Sequence, residues 1–497
     1  MNTNNLMFAA AALYLVCSQI YFRLSVQALM FNLGAVLVAT LVLTKPAKKP
    51  LKEGEYRPSP NMFLGSGKTP PATVARELIL KNKGGKGSAY FSDPSLAFGE
   101  LSNFKYDLGK VIDFKQLLLE KADVIGPYCV DDENRQIVFV ETEPDFDPAE
   151  TGPFYFQSQR DHAIKLYVVP FDEYHRVIAD LPNTHTDNLL LVYNTSRCGS
   201  TLLSKCCDSV TDMQAISEPD VFSSLTHMAA EAKGTRDEDI VALARSSAKL
   251  LCYLRRHKYP DRDAVCLKFR FQVVYINKLI QQAVPDAKPI MLYRNALDVI
   301  DSMGAAFINT GLYRAIRAIG IDTFYIWHIS TLPDHLWKLM PLLRDPRFPM
   351  ASYKPLGAVT PFVFTWLSVM EAAIEAQKAG TIKVMIRYED MIKGKDAYVR
   401  KMLEAVNLKT HEVEASKDET KQSSSSAKDA SKVFNADVHQ GVTKSHRSEI
   451  DKKTGAVIRS DKFAYLKKSD VSLIKNVLTY HETILSSDYI APGTLAC

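Results

Sequence analysis

Apolar residues along the chain fall into two kinds of run. The first kind is long and N-terminal. Met7–Phe22 (MFAAAALYLVCSQIYF) is a run of 16 mostly apolar residues, and Leu24–Thr44 adds 21 more after Arg23. An apolar helix of about 20 residues spans a bilayer. The second run is long enough despite Gln27 and Asn32; the first is marginal. No Lys or Arg precedes the first run, which argues against a cleaved signal peptide. The pattern predicts a membrane anchor over residues 1–50, made of one transmembrane helix or two.

The second kind of run is short and repeats. Residues 188–193 (NLLLVY), 263–268 (DAVCLK), 288–293 (KPIMLY) and 381–386 (TIKVMI) are short and mainly apolar, as strands buried on both faces should be. Helical spacing lies between and beyond them, at 201–210, 238–256, 271–283, 296–303 and 358–379, with a closing helix at 468–487. The alternation predicts an α/β fold: a three-layer sandwich with a central parallel sheet. Ligands in such folds bind at the carboxyl ends of the strands.

The remaining segments set the domain limits. Residues 51–75 are rich in Pro, Lys and Gly and read as a stem. GSGKT at 65–69 lacks a strand before it, and Pro70-Pro71 block a helix after it, so it belongs to that stem. Residues 76–185 form a mixed N-terminal extension. It has β-rich runs at 136–141 and 163–169 and a helical stretch at 171–181, with no chemistry legible in it. The main domain covers 186–487, broken by a polar, low-complexity insertion at 407–445 that reads as disordered.

Composition narrows the partners. The net charge of +5 over 497 residues suits a site for a small anion and gives no case for nucleic acid. No pair among the eight cysteines has zinc spacing, and no metal is expected; one or two disulfides stay open.

The stretch Asn194–Ser204 (NTSRCGSTLLS) carries the first candidate chemistry. A strand, a tight loop and a helix start form an anion-binding geometry, because the first N–H groups of a helix have no internal partner. Gly199 permits close backbone approach, Ser200 and Thr201 add hydroxyls, and Arg197 adds a planar cation. The alternative is an ordinary capped strand–helix corner. A Walker lysine is lacking, which weakens a kinase or ATPase reading. About 95 residues on, a second strand runs into a helix, with Arg294 at its end and Ser302 eight residues later. Both could reach one phosphate; the plainer alternatives are an Arg294–Asp298 salt bridge and a solvated Ser302.

Together these segments resemble the sulfotransferases that use 3′-phosphoadenosine 5′-phosphosulfate (PAPS). The family's loop for the 5′-phosphosulfate reads S-R-S-G-S-T-L-L or similar, and this chain has Ser196 through Leu203 as SRCGSTLL. The family's 3′-phosphate element is an Arg followed by a Ser eight residues on, as Arg294 and Ser302 are here. Ile386–Met391 (IRYEDM) is similar to the family's late R-Y-E-D-L strand end. The resemblance covers roughly residues 186–405, with 446–485 as a second stretch, and leaves 1–185 out.

The resemblance implies a membrane-bound enzyme moving a sulfuryl group from PAPS to a hydroxyl or amine of carbohydrate, protein or small molecule. It implies that Arg197, Cys198, Gly199, Ser200, Thr201 and Leu202 hold the 5′-phosphosulfate, and that Arg294 and Ser302 hold the 3′-phosphate. Arg197 then stabilises the leaving group. Glu218, 21 residues after Arg197 and past the loop helix, is the candidate base, with His227 and Lys268 as fallbacks. The acceptor pocket is expected from 215–235 and 304–355.

Cys198 replaces a Ser or Thr and Leu297 an Arg, which keeps an inactive scaffold of the same fold as the alternative. A thiolate-stabilising helix end would also make Cys198 redox-sensitive. Relatives of this kind mostly sit in the Golgi membrane. Lys45, Lys48, Lys49 and Lys52 after the second apolar run point instead to a cytosol-facing domain. The one N-x-[ST] site, Asn194, falls inside the proposed loop.

Overall fold

The structure, a computed structural model, describes residues 74–83, 98–151, 154–182, 184–211, 213–308, 359–409, 448–450, 457–459, 463 and 465–497. The expected anchor (1–50), most of the stem, the insertion from 410 onward and the aromatic stretch 309–355 lie outside these residues. Among the described residues no helix is long and apolar enough to cross a membrane.

The chain builds two sheets in succession. Strands β1 (Arg76–Lys83), β2 (Phe104–Val111), β3 (Ile125–Asp131), β4 (Gln136–Thr142) and β5 (Ala163–Pro170) form an antiparallel sheet in the order β2-β1-β5-β4-β3. Helices α1 (Phe114–Lys121), α2 (Pro148–Thr151), α3 (Tyr155–Asp161) and α4 (Phe171–Ala179) accompany it. The mixed extension expected at 76–185 is thus a folded unit. Both faces are buried over β3, β4 and β5, with side chains alternating between them as a pleated strand requires, whereas β1 and β2 are largely exposed or half-buried. Ile137, Phe139, Tyr167 and Val169 face α1 and α4, whereas Val138, Val140, Leu166 and Val168 face Phe104, Tyr128 and Phe156.

The second sheet is wholly parallel, as expected. It contains β6 (Leu189–Asn194), β7 (Gln214–Ser217), β8 (Val265–Lys268), β9 (Lys288–Tyr293) and β10 (Val384–Arg387), in the order β10-β9-β6-β8-β7. Helices connect them: α5 (Ser200–Val210), α6 (Val221–Ala232), α7 (Asp237–Lys258), α8 (Asn277–Ala283), α9 (Ala296–Met303), α10 (Thr360–Lys378) and α11 (Tyr388–Ala405). A hairpin of β11 (Ser448–Ile450) and β12 (Val457–Arg459) and a last helix, α12 (Lys468–Leu478), follow.

The three layers are visible residue by residue. Leu190, Val192, Cys266, Ile290, Leu292 and Ile386 pack on one face with α5 and α11. Leu189, Leu191, Tyr193, Leu267 and Met291 face the other way, into a core that also holds α7, α10 and the inner face of the antiparallel sheet. At the β10 edge the C-terminal tail pairs with Met385 through Leu495 N–H (2.9 Å) and the Gly493 carbonyl (3.2 Å), which covers an otherwise open strand edge.

Some boundaries differ from the pattern. The expected helix 271–283 is a 3₁₀ turn over Phe271–Ile276 followed by α8. At their junction the Asn277 side chain donates to the Val274 carbonyl (2.7 Å), a local bond that competes with helix continuity. The closing helix stops at Leu478 rather than 487. Just beyond it His481 Nδ1 accepts from Thr483 N–H and Ile484 N–H, fixing a turn. The seven cysteines among the described residues are all unpaired.

The two sheets are joined by buried ion pairs. Arg255, in the last turn of α7, donates through Nη1 to both carboxylate oxygens of Asp147 (2.9 and 2.7 Å), and Tyr259 donates to the same carboxylate at 2.9 Å. Burial pushes the Asp147 carboxyl up, but Arg255 and the Ala149 N–H outweigh it and hold it below the ordinary carboxylate value. A buried pair broken on one side leaves an uncompensated charge. Arg255→Met is expected to cost about 3–5 kcal/mol in urea unfolding at neutral pH. Because the folded value is depressed, Asp147's contribution is present above the unfolded carboxylate value of about 3.9 and is lost as pH falls through the lower folded value. An Asp147→Asn variant should therefore lose less stability than the parent between pH 5 and pH 2.5; an equal acid slope would contradict the assignment.

Candidate functional site

β6 lies at the centre of the parallel sheet, with β8 on one side and β9 on the other. The chain leaves β6 toward one side and later crosses to the other, which makes the carboxyl ends of these strands a topological switch point, the place where such sheets bind ligands. Five chain segments converge there, one from each strand end.

The loop after β6 is pinned before it turns. The Asn194 side chain donates to the Phe269 carbonyl (2.6 Å) and accepts from Ser196 N–H (2.9 Å), and Thr195 N–H donates to the Leu292 carbonyl at 3.2 Å. Ser196 (φ 61°), Arg197 (φ 49°) and Gly199 (φ 83°) then adopt left-handed conformations. Only glycine does this without steric cost, so the surrounding structure holds Ser196 and Arg197 in place. The first bond of α5 runs from Leu203 N–H to the Gly199 carbonyl (3.0 Å). The N–H groups of Ser200, Thr201 and Leu202 therefore have no partner within the helix and point out of its positive end. Asn194 is 3% exposed and its amide is engaged, so it offers no glycan acceptor.

Arg197 and Arg294 meet at this loop. Arg197 Nε donates to Ser302 Oγ (2.9 Å), and Arg294 Nη1 donates to the Arg197 carbonyl (3.3 Å). Arg294 Nη2 reaches Asp298 Oδ2 at 3.3 Å, its guanidinium lies over the Tyr388 ring at 4.5 Å, and its buried Nε has no hydrogen-bond partner among the described residues. The expected Arg294–Ser302 partnership is thus divided: Ser302, 6% exposed, is held by Arg197, and Arg294 is paired with Asp298 in a buried setting. The side chains of Cys198 and Leu202 face inward, away from the open helix start. Both are buried in the core between the sheet and α5, to which Leu202 belongs, and the Cys198 thiol donates to the Leu292 carbonyl (3.4 Å). Burial pushes that thiol up, which removes the expected thiolate reactivity. Leu297 also points into the core.

The other half of the site lies at β7 and β8. Ladder register sets Lys268 opposite both Val192 and Ser217. Glu218 follows β7 in a left-handed conformation (φ 58°), fixed by its N–H to the Lys268 carbonyl (2.7 Å). Its Oε1 accepts from Lys268 Nζ at 2.5 Å, and Arg270 Nε lies 3.6 Å from Oε2. Lys268 is 2% exposed. Arg270 pairs with Asp220 (2.8 Å), which also accepts from Gly99 N–H. Burial pushes the Asp220 carboxyl up, against the pull of Arg270. Of the two fallback bases, Lys268 sits on Glu218; His227, on α6, packs edge-on against Phe98 at 5.1 Å.

Sequence reasoning missed four rings. Tyr388, the first residue of α11, lies under Arg294 and against Gly199. Its place in IRYEDM, just after a strand end, was the available signal. Phe98, Phe154 and Phe156 come from the antiparallel unit, where no motif marks them. Glu389 Oε1 also accepts from Asn295 N–H (3.1 Å), fixing the start of α9. No protein-family model and no curated protein sequence matches the chain.

A Cβ on Gly199 would lie 2.5 Å from the Tyr388 ring. Gly199→Ala should therefore combine left-handed strain with a steric clash and cost about 2–4 kcal/mol. Urea unfolding of Gly199→Ala with and without Tyr388→Ala separates the two. Relief of only part of the loss by the second substitution is the expected result; strict additivity would show that the contact is not felt.

Proposed function

We propose that the chain is a PAPS-dependent sulfotransferase acting on a hydroxyl or amine acceptor. The observation that carries this reading is the convergence, at the carboxyl end of the parallel sheet, of an open helix start, two arginines and a lysine-held carboxylate. The N–H groups of Ser200, Thr201 and Leu202, with Arg197, suit the 5′-phosphosulfate. Arg294, with its buried Nε, suits the 3′-phosphate that separates this donor from ADP. At about 4.8 Å per strand, β7 ends roughly 10 Å from β6, which leaves room for a sulfuryl group between loop and carboxylate.

In this mechanism the acceptor oxygen forms a bond to sulfur as the bond from sulfur to the bridging phosphate oxygen breaks. The electron pair leaves with 3′-phosphoadenosine 5′-phosphate (PAP), and the acceptor proton passes to Glu218. Arg197 and Lys268 supply fixed positive charge where negative charge builds, which is the larger part of such catalysis. The departures at Cys198 and Leu297 fall on core-facing positions, which favours an enzyme over an inactive scaffold. The same reading anchors the enzyme through residues 1–50, in a Golgi membrane.

Calorimetric titration of the full chain in detergent with PAP tests the donor site. PAP should bind, ADP should bind at least about tenfold more weakly, and Arg294→Ala should remove that preference. Equal binding of ADP and PAP would refute the donor assignment. Glu218→Gln should lower transfer by about 10²–10⁴-fold with PAP affinity unchanged.

A further inference from the structure

The antiparallel unit delivers three aromatic rings to the ends of β7 and β8. The Arg270 guanidinium lies 4.3 Å from the Phe156 ring centre and 4.9 Å from that of Phe98. Phe154 lies 5.3 Å from Lys268 Nζ and stacks beside Phe156, with centroids 6.3 Å apart. The rings are fixed from beneath. Phe154 immediately precedes α3, and Phe98 is held by the Gly99 N–H bond to the buried Asp220 carboxylate. Phe156 is fully buried, which is enough to explain it as packing. Phe98 and Phe154 are only half-buried, and Phe154 stands beside the Lys268–Glu218 pair.

We propose that Phe154, with Phe98, walls the acceptor subsite, and that the acceptor is a phenolic hydroxyl. This rests on the sulfotransferase reading of Glu218. A half-buried ring offers a flat apolar face that a planar ring covers well. The charges there balance, with Lys268 and Arg270 set against Glu218 and Asp220, so the cluster does not select an ionic acceptor by net charge. An acceptor oxygen that meets Glu218 also meets the Lys268 ammonium, which favours a forming oxyanion. A phenol ionises near pH 10, whereas an aliphatic hydroxyl lies near the value of about 16 for bulk water. The phenolic proton passes to Glu218 as the phenolic oxygen bonds to sulfur and PAP departs with the electron pair of the broken bond.

The test uses the full chain in detergent with PAPS, 4-methylphenol as the phenolic probe and methyl β-glucoside as the aliphatic one. Saturation-transfer NMR reads acceptor binding, and mass spectrometry reads sulfated product. Expected are binding and sulfation of 4-methylphenol. Its KM should rise at least about tenfold in Phe154→Ala, recover in Phe154→Trp, and leave PAP affinity unchanged in both. PAP binding with sulfation of the glucoside alone would overturn the phenolic class. An unchanged phenol KM in Phe154→Ala, with transfer intact, would overturn the subsite. In both cases the donor reading stands. Failure of PAP to bind would instead sink the sulfotransferase reading and this inference with it. Should Phe154→Ala fail to fold, an unchanged KM in Phe154→Asn would be equally decisive against the proposal.

Discussion

The site depends on one constraint, the parallel pairing of β6 between β8 and β9. Val192 is opposite Lys268 on one side and Ile290 on the other, and that register fixes where each strand releases its chain. Slip β6 by one residue and its two faces exchange, which would bury the loop and expose the core. The Asn194 bonds to Phe269 and Ser196 then convert the end of a strand into a loop with one allowed path. Three left-handed residues within four positions are tolerated because the sheet leaves no alternative. The unpartnered N–H groups at the start of α5, on which the proposed anion site rests, follow from the backbone and need no particular side chain.

A second dependence runs between the two sheets. Asp220 is buried, and its partners come from both units: Gly99 from the antiparallel unit and Arg270 from the parallel one. Buried charges of this kind add little net stability, but they are intolerant of a missing partner and so fix a relative arrangement. Glu218 benefits. Its backbone is tied to Lys268 and its carboxylate to Lys268 and Arg270, and rings of the antiparallel unit cover both cations. The fold thus holds this carboxylate in one position, as the base role proposed for it requires.

The parallel sheet was legible because strands buried on both faces read as nearly continuous apolar runs, and β6, β8 and β9 carry that mark up to their polar ends at Asn194, Lys268 and Lys288. Gln214–Ser217 escaped because it has four residues and a polar start, although its ladder to β8 is complete. β3 escaped because Gly126 and Pro127 read as breakers; the structure accommodates them with a bulge between Pro127 and Cys129. β2 escaped because this edge strand exposes most of its residues. Arg197, Gly199, Glu218 and Arg294 were legible as local patterns around strand ends. The Arg197–Ser302 bond and the rings at Lys268 were not, since each joins segments about 100 residues apart and no local pattern reports that.

A crystal structure of the full chain with PAP bound tests the central claim most directly. The account predicts the 5′-phosphate within hydrogen-bond distance of the N–H groups of Ser200 and Thr201, and the 3′-phosphate on Arg294. It also leaves the space between the loop and Glu218 open for the sulfuryl group. A nucleotide seated elsewhere, or with its 3′-phosphate away from Arg294, would contradict the account even if binding were tight.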